Sequence, residues 1–204
     1  RCIGVGIVRW DNASHLFFTY HPGVFDDAFE FPETPGGLNA FGKLGVAEID
    51  GSLIQTLDFP YEFVDMAGET LLGADPTGGP AGFDATRYVW FERSDLLNGA
   101  VAPHPIQSPE GFDGHVALSP DGTLLFMSPN FILDLRQGTV TVLEHLETER
   151  TQTCRWYPGG GYIACEYGFA QNRQSIQIYS LSGQATQSFK PDWLLFNLTA
   201  WASE

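Results

Sequence analysis

The chain has 204 residues, which suits one domain or a short repeat array with a real core. Its 23 Gly, 13 Pro and 14% aromatics, with only 17% charged residues, favour short strands and turns over amphipathic helices. A formal charge of −15 repels phosphate backbones and anionic headgroups, and no apolar run is long enough to cross a bilayer, so neither nucleic acid nor membrane insertion is expected.

The sequence opens on "RCIGVGIVRW", without Met and without a charged-then-apolar targeting segment, so the expectation is a processed chain or a piece of a longer one. "VRWDNASHLFF" (8–18) then reads as strand, polar turn, strand. The same plan returns without gaps in "FVDMAGETLLG" (63–73), "VALSPDGTLLF" (116–126) and "CRWYPGGGYIA" (154–164). A large apolar residue leads each copy: Trp10, Met66, Leu118 and Trp156. Six residues on stands a second: Leu16, Leu72, Leu124 and Tyr162. Gly68, Gly122 and Gly160 can take the positive φ of a tight turn, and Asn12 tolerates it.

A weaker second hairpin follows each first one. It reads "LGVAEIDGSLIQTL" (44–57), "FILDLRQGTVTVL" (131–143) and "IQIYSLSGQATQSF" (176–189). The second copy offers "YVWFERSDLLNGAVAPHPI" (88–106), with a longer turn. "LTAWASE" (198–204) looks like the start of a fifth copy, led by Trp201. Apolar residues three and four apart, the mark of helical repeats, are missing. Four antiparallel strands per unit, with leading residues 38 to 56 positions apart, predict an all-β chain of β-propeller blades. The expected blades cover about 1–60, 61–107, 112–146 and 150–190, with the first strand of a fifth in 192–204. The ends do not complement each other, so the circle is expected to be part of a larger propeller, with a four-bladed closure as the alternative. A two-sheet β-sandwich shares the short strands but not the gapless recurrence.

"HVALSPDGTLLF" followed by "ILDLRQGTVTVL" resembles blades of WD-repeat-like and TolB-like β-propellers, in which an "SPDG" turn precedes the second strand. "CRWYPGGGYIA" with "IQIYSLSGQ" is similar to a degenerate copy, and "LDL", "IYS" and "AEI" stand where a strict WD repeat has Trp-Asp. The resemblance implies a fold shared by scaffolds, periplasmic binding proteins, peptidase gates and enzymes. It also implies a structural hydrogen-bonding role for His115, just before "VALSPDG".

Strand alternation puts the short first turns on one face of a blade array and the long connections on the other. The second face then receives "HPGVFDDAFEFPETPGGLNAFG" (21–42), "DPTGGPAGFDA" (75–85), "QSPEGFDGH" (107–115) and "EHLETERTQ" (144–152). Counting also Asp58, Glu62 and Asp192 in the remaining connections of that face, 14 of the 25 acidic residues fall there, among them Asp26, Asp27, Glu30, Glu33, Asp75, Glu110 and Asp113. Long loops on a rigid scaffold are where binding sites concentrate, so this face is the expected partner-binding surface. "DDAFEFPE" (26–33) has carboxylates for calcium but not the Asp-x-Asp-x-Asp-Gly order of a dedicated loop, so no cofactor is expected.

No Gly-x-Ser-x-Gly elbow, phosphate-cradling loop, dinucleotide fingerprint or close histidine pair appears, so no catalytic or metal residue is assigned. In "TCRWYPGGGYIAC" a turn centred on Gly159 and Gly160 sets Cys154 opposite Cys165, within disulfide reach, whereas a one-residue shift would separate them. A bond there places maturation in an oxidising, extracytoplasmic compartment and leaves Cys2 over. The expected function is a non-catalytic binding or assembly module, with a protein partner or further blades of the same protein. The alternatives are the propeller part of a hydrolase or oxidoreductase with its catalytic residues elsewhere, and a purely structural surface component.

Overall fold

The structure, a computed structural model, describes residues 2–10, 15–22, 43–50, 52–75, 87–112, 114–144, 151–169 and 173–189. The chain divides into two compact units, Arg1–Ser108 and Pro109–Glu204, each described by itself.

The first unit holds two sheets. One is ordered β1 (Cys2–Trp10), β2 (His15–Pro22), β3 (Lys43–Glu48) and β4 (Leu53–Asp58), all antiparallel. The other is ordered β5 (Glu62–Ala67), β6 (Thr70–Asp75), β7 (Arg87–Glu92) and β8 (His104–Pro105). The second unit repeats the arrangement with β9 (Val116–Leu118), β10 (Leu124–Met127), β11 (Phe131–Asp134) and β12 (Val140–Val142), then β13 (Thr151–Trp156), β14 (Tyr162–Phe169), β15 (Arg173–Ser180) and β16 (Ala185–Phe189). These are the four four-stranded antiparallel blades that the recurring hairpins predict. A fifth copy in 192–204 lies outside the described residues.

The repeat extends to single hydrogen bonds. In "SPDGTL" the Ser119 amide donates to Leu124 O at 2.8 Å and the Gly122 amide to Ser119 O at 2.9 Å. In "YPGGGY" the Tyr157 amide donates to Tyr162 O at 2.9 Å and the Gly160 amide to Tyr157 O at 2.8 Å. Gly122 and Gly160 sit at the same step with φ of 75° and 78°, where an L side chain would be strained. The β5–β6 turn is tighter, with only Gly68 and Glu69 between the strands and Gly68 at φ 53°.

One detail of the repeat differs from the sequence pattern. Leu16, six residues after Trp10, does face it, but Met66 faces Leu71, Leu118 faces Leu125 and Trp156 faces Ile163. Turn length varies from copy to copy, and a shift of one residue exchanges the two sides of a strand. Tyr162, taken as an apolar marker, is therefore 45% exposed, while Ile163 beside it is fully buried. The longer turn of the second blade holds a short helix, α1 (Arg93–Leu97), which buries Leu96 and ends before Gly99 at φ 82°.

Each unit has its core in the seam between its two blades. In the first unit Phe17, Val46 and Leu57 share one side of their sheet, since Phe17 faces Val46 and Leu57 stands two residues beyond Gln55, which faces Val46. They pack with Met66, Leu71 and Phe91, which are successive cross-strand neighbours in the next sheet. In the second unit Phe126, Ile132 and Leu143 form the same outward trio, and Trp156, Ile163 and Tyr179 the same inward one. Strands two, three and four of one blade thus bury a trio against strands one, two and three of the next.

First strands meet at the inner edge of both seams. Arg9 Nε pairs with Asp65 Oδ1 at 3.1 Å between β1 and β5, and Trp156 Nε1 donates to Ala117 O at 2.8 Å between β13 and β9. In the first unit only residues 59–61 separate the end of β4 at Asp58 from the start of β5 at Glu62, too few to cross the height of a sheet, so β5 starts on the side where β4 ends and runs the same way as β1.

Candidate functional site

Within the first unit this parallel course brings the strand ends Pro22, Lys43 and Asp58 of one blade to the same side as Glu62, Asp75 and Arg87 of the next. Connections 23–42 and 76–86 leave from these ends. Asp26, Asp27, Glu30 and Glu33, and Asp113 in the second unit, lie outside the described residues. Asp75 is half-buried at the end of β6, with Arg87 as its backbone partner on β7, and Glu110 is exposed just after the first unit.

The titratable groups at these strand ends sit in different surroundings. Lys43 pairs with Asp58, and this hydrogen bond raises the Lys43 ammonium above its ordinary range. Glu62, Ala74 and Tyr88 form one cross-strand row. Burial pushes the Glu62 carboxyl up; burial first, then the neighbouring Glu62 charge, raises the Tyr88 phenol.

The division into two faces is not clean at the outer strands. The β15–β16 turn, assigned by alternation to the short-turn side, reaches Glu144 just past β12, whose amide donates to Gly183 O at 2.8 Å. Sheet twist, which grows from the first strand to the fourth, brings opposite ends of neighbouring blades together there.

On the short-turn side Asp121 organises "SPDGT". Its Oδ1 accepts from Ser119 Oγ at 2.7 Å and from the Thr123 amide at 3.1 Å, and both carboxylate oxygens accept from Thr123 Oγ1 at 3.0 Å. Burial pulls the Asp121 carboxyl up, but the bonds from Ser119 and Thr123 together outweigh it and hold it below its ordinary range. The expected structural role of His115 falls to its backbone: its carbonyl accepts from the Ser128 amide at 2.9 Å and its amide donates to Ser128 Oγ at 3.2 Å, while the residue is exposed.

Cys154 faces Cys165 in the β13–β14 register, with Cα atoms 4.1 Å apart and sulfurs bonded at 2.04 Å. The five-residue turn after Trp156 sets that register, so the shift that would separate the thiols does not occur. Both cysteines are buried in the seam core beside Tyr167 and Tyr179, whose hydroxyls lie 2.9 Å apart, with Tyr179 also 2.5 Å from Gln177 Oε1. A hydroxyl carries one proton, so Tyr167 donates to Tyr179 and Tyr179 to Gln177. Sequence reasoning missed this buried polar row. The alternation of Ser175, Gln177 and Tyr179 along one strand was its signal.

Among the described residues no group of three or more His, Cys, Asp or Glu gathers as a metal site, and no helix is long and apolar enough to cross a membrane.

No protein-family model and no curated protein matches this sequence. Solved structures do. The chain is similar to the β-propeller domain of Cps50 (Swd1) from Myceliophteria thermophila, at 10% identity and a TM-score of 0.53, over 90% of this chain and 54% of that one. It is also similar to the C-terminal WD40 domain of Sif2, at 12% identity and a TM-score of 0.50, over 91% of this chain and 46% of that one. This chain spans about half the length of the structures that it matches. Four separate four-stranded sheets and these neighbours give it an all-β propeller fold, and the sandwich alternative falls.

Proposed function

We propose that the chain is a non-catalytic binding and assembly module, part of a larger propeller or complex, whose long-connection face takes a cationic protein partner. The observation that carries this reading is the shared side from which connections 23–42 and 76–86 leave the first unit. Asp26, Asp27, Glu30, Glu33, Asp75, Glu110 and Asp113 are the residues that would meet the partner. The length of the matched propellers, about twice that of this chain, supports the larger assembly. The Cys154–Cys165 bond supports an extracytoplasmic, oxidising location.

Binding of a lysine-rich peptide, titrated at increasing salt, tests the surface. Reversing Asp26, Asp27, Glu30 and Glu33 to Lys should remove most of the affinity. Reversing Asp50, Glu69, Glu92 and Asp95, on the short-turn side of the first unit, should remove little. Equal losses would reduce the effect to net charge and discard the surface. A calcium titration of the same variants separates a metal-binding loop from a protein-binding one.

A further inference from the structure

We propose that the side of the fourth blade carrying Tyr162, Ile178 and Phe189 is a docking face for a further four-stranded blade of the same polypeptide, whose first strand is residues 198–204. This rests on the reading of the chain as part of a larger propeller and says which residues receive the next part.

The fourth blade matches the third position by position. Trp156 facing Ile163 matches Leu118 facing Leu125, so Ala164 stands where Phe126 stands. Ala164 faces Ile178 as Phe126 faces Ile132, and Ile178 faces Gln187 as Ile132 faces Thr141. Two residues further along the fourth strands, Phe189 corresponds to Leu143. The outward trio of the fourth blade is therefore Ala164, Ile178 and Phe189, with Tyr162 in the place of Leu124.

In the seams seen within units the corresponding trios are covered. Phe17, Val46 and Leu57 are 0%, 0% and 9% exposed, and Phe126, Ile132 and Leu143 are 2%, 3% and 1%. In the fourth blade Ala164 is 3% exposed, but Ile178 is only half-buried, Phe189 is 49% exposed and Tyr162 is 45% exposed. Every residue of β16 is exposed, and the strand carries no charge to protect its edge. Single exposed apolar residues are ordinary on a protein surface. Phe189 differs from Ile49 or Leu53 because its position is one that the other seams use for core.

The occupant follows from what covers the two seams seen within units. Each cover is an inward trio of large apolar residues, Met66, Leu71 and Phe91 or Trp156, Ile163 and Tyr179, led by a residue of the first strand. Among the large apolar residues after β16, Trp201 in "LTAW" is the one that matches "TCRW" and stands at blade spacing from Trp156. Residues 198–204 lie outside the described residues, and their assignment is part of the proposal.

Hydroxyl-radical footprinting of the native full-length polypeptide, with its intact mass, is the test. Phe189 and Tyr162 should be labelled several-fold more slowly than Ile49 at every protein concentration. Trp201→Ala should raise their labelling several-fold while Ile132 and Leu143 stay protected; if that variant fails to fold, Trp201→Phe and the wild-type pattern decide. Labelling of Phe189 as fast as Ile49 in a polypeptide whose mass includes further blades removes the docking face and leaves the larger propeller standing. Protection that disappears on dilution assigns the face to a second copy and overturns the proposal, as does protection indifferent to Trp201→Ala. A mass of only these residues removes the larger propeller itself.

Discussion

The Trp156 indole donates its one hydrogen to the Ala117 carbonyl at 2.8 Å, joining the first strands of two consecutive blades. The other inner-edge contact seen within a unit, Arg9 with Asp65, does the same task with charge, but its side chains are 44% and 38% exposed. Water screens that pair, so Arg9→Ala should cost under about 1 kcal/mol. Trp156 is buried, and Trp156→Phe keeps a ring in the seam while leaving the carbonyl without its donor, a loss of about 1–3 kcal/mol. Urea unfolding of the two variants checks the order; equal losses would mean that the seam is held by area alone.

Much of this architecture is legible in the sequence because the turns are chemically explicit. Gly68, Gly122 and Gly160 mark three first turns and take the positive φ that their positions demand. The cysteine register is legible for the same reason. What the pattern hides is turn length: a constant spacing of six residues selects Tyr162 where Ile163 is the core residue. The α1 helix is hidden in a loop too short to show a period, and only Asn98-Gly99 after two leucines signals its end, where the Asn98 amide returns to Ser94 O at 3.1 Å. Ion pairing is hidden as well, since nothing in the order of residues pairs Lys43 with Asp58.

The disulfide should contribute to stability although its loop is short. β13 is the first strand of its sheet, where it pairs with β14, and the bonded cysteines lie eleven residues apart between these two strands. Loop-closure entropy alone gives a little under ~3 kcal/mol for such a span. Cys154→Ala with Cys165→Ala should therefore lower the unfolding midpoint by a corresponding amount. A reducing agent should then change the midpoint of the parent protein but not that of the variant. An unchanged parent midpoint would show that the bond does not form.

Gly183 and Gly138 offer a controlled comparison. Both have positive φ, 84° and 69°, so an added Cβ is strained at either, by roughly 1–2 kcal/mol. At Gly138 the Cβ meets nothing within 4 Å, whereas at Gly183 it would stand 2.4 Å from the backbone oxygen of Val142 in the neighbouring blade. Gly183→Ala should exceed Gly138→Ala by about 1–3 kcal/mol, the usual cost of overpacking. Similar unfolding midpoints for the two would mean that the β15–β16 turn does not press on the third blade.

Two carboxylates should give opposite responses to pH. Asp121 is held below its ordinary range, so its contribution is full above the unfolded value near ~3.9 and is lost as the pH falls through its lower folded value. Glu62 is raised by burial, so its contribution is present below the unfolded value near ~4.3 and is lost as the pH rises through the folded one. Asp121→Asn should accordingly flatten the acid limb of the stability profile. Glu62→Gln should be more stable than the parent at neutral pH, with an advantage that shrinks on acidification. Urea midpoints measured from neutral pH down to about pH 2 span both windows. An Asp121→Asn profile parallel to the parent through the acid limb would mean that the "SPDGT" bonds do not favour the ionised carboxyl, and with that the reading of Asp121 as the organiser of its turn would fall.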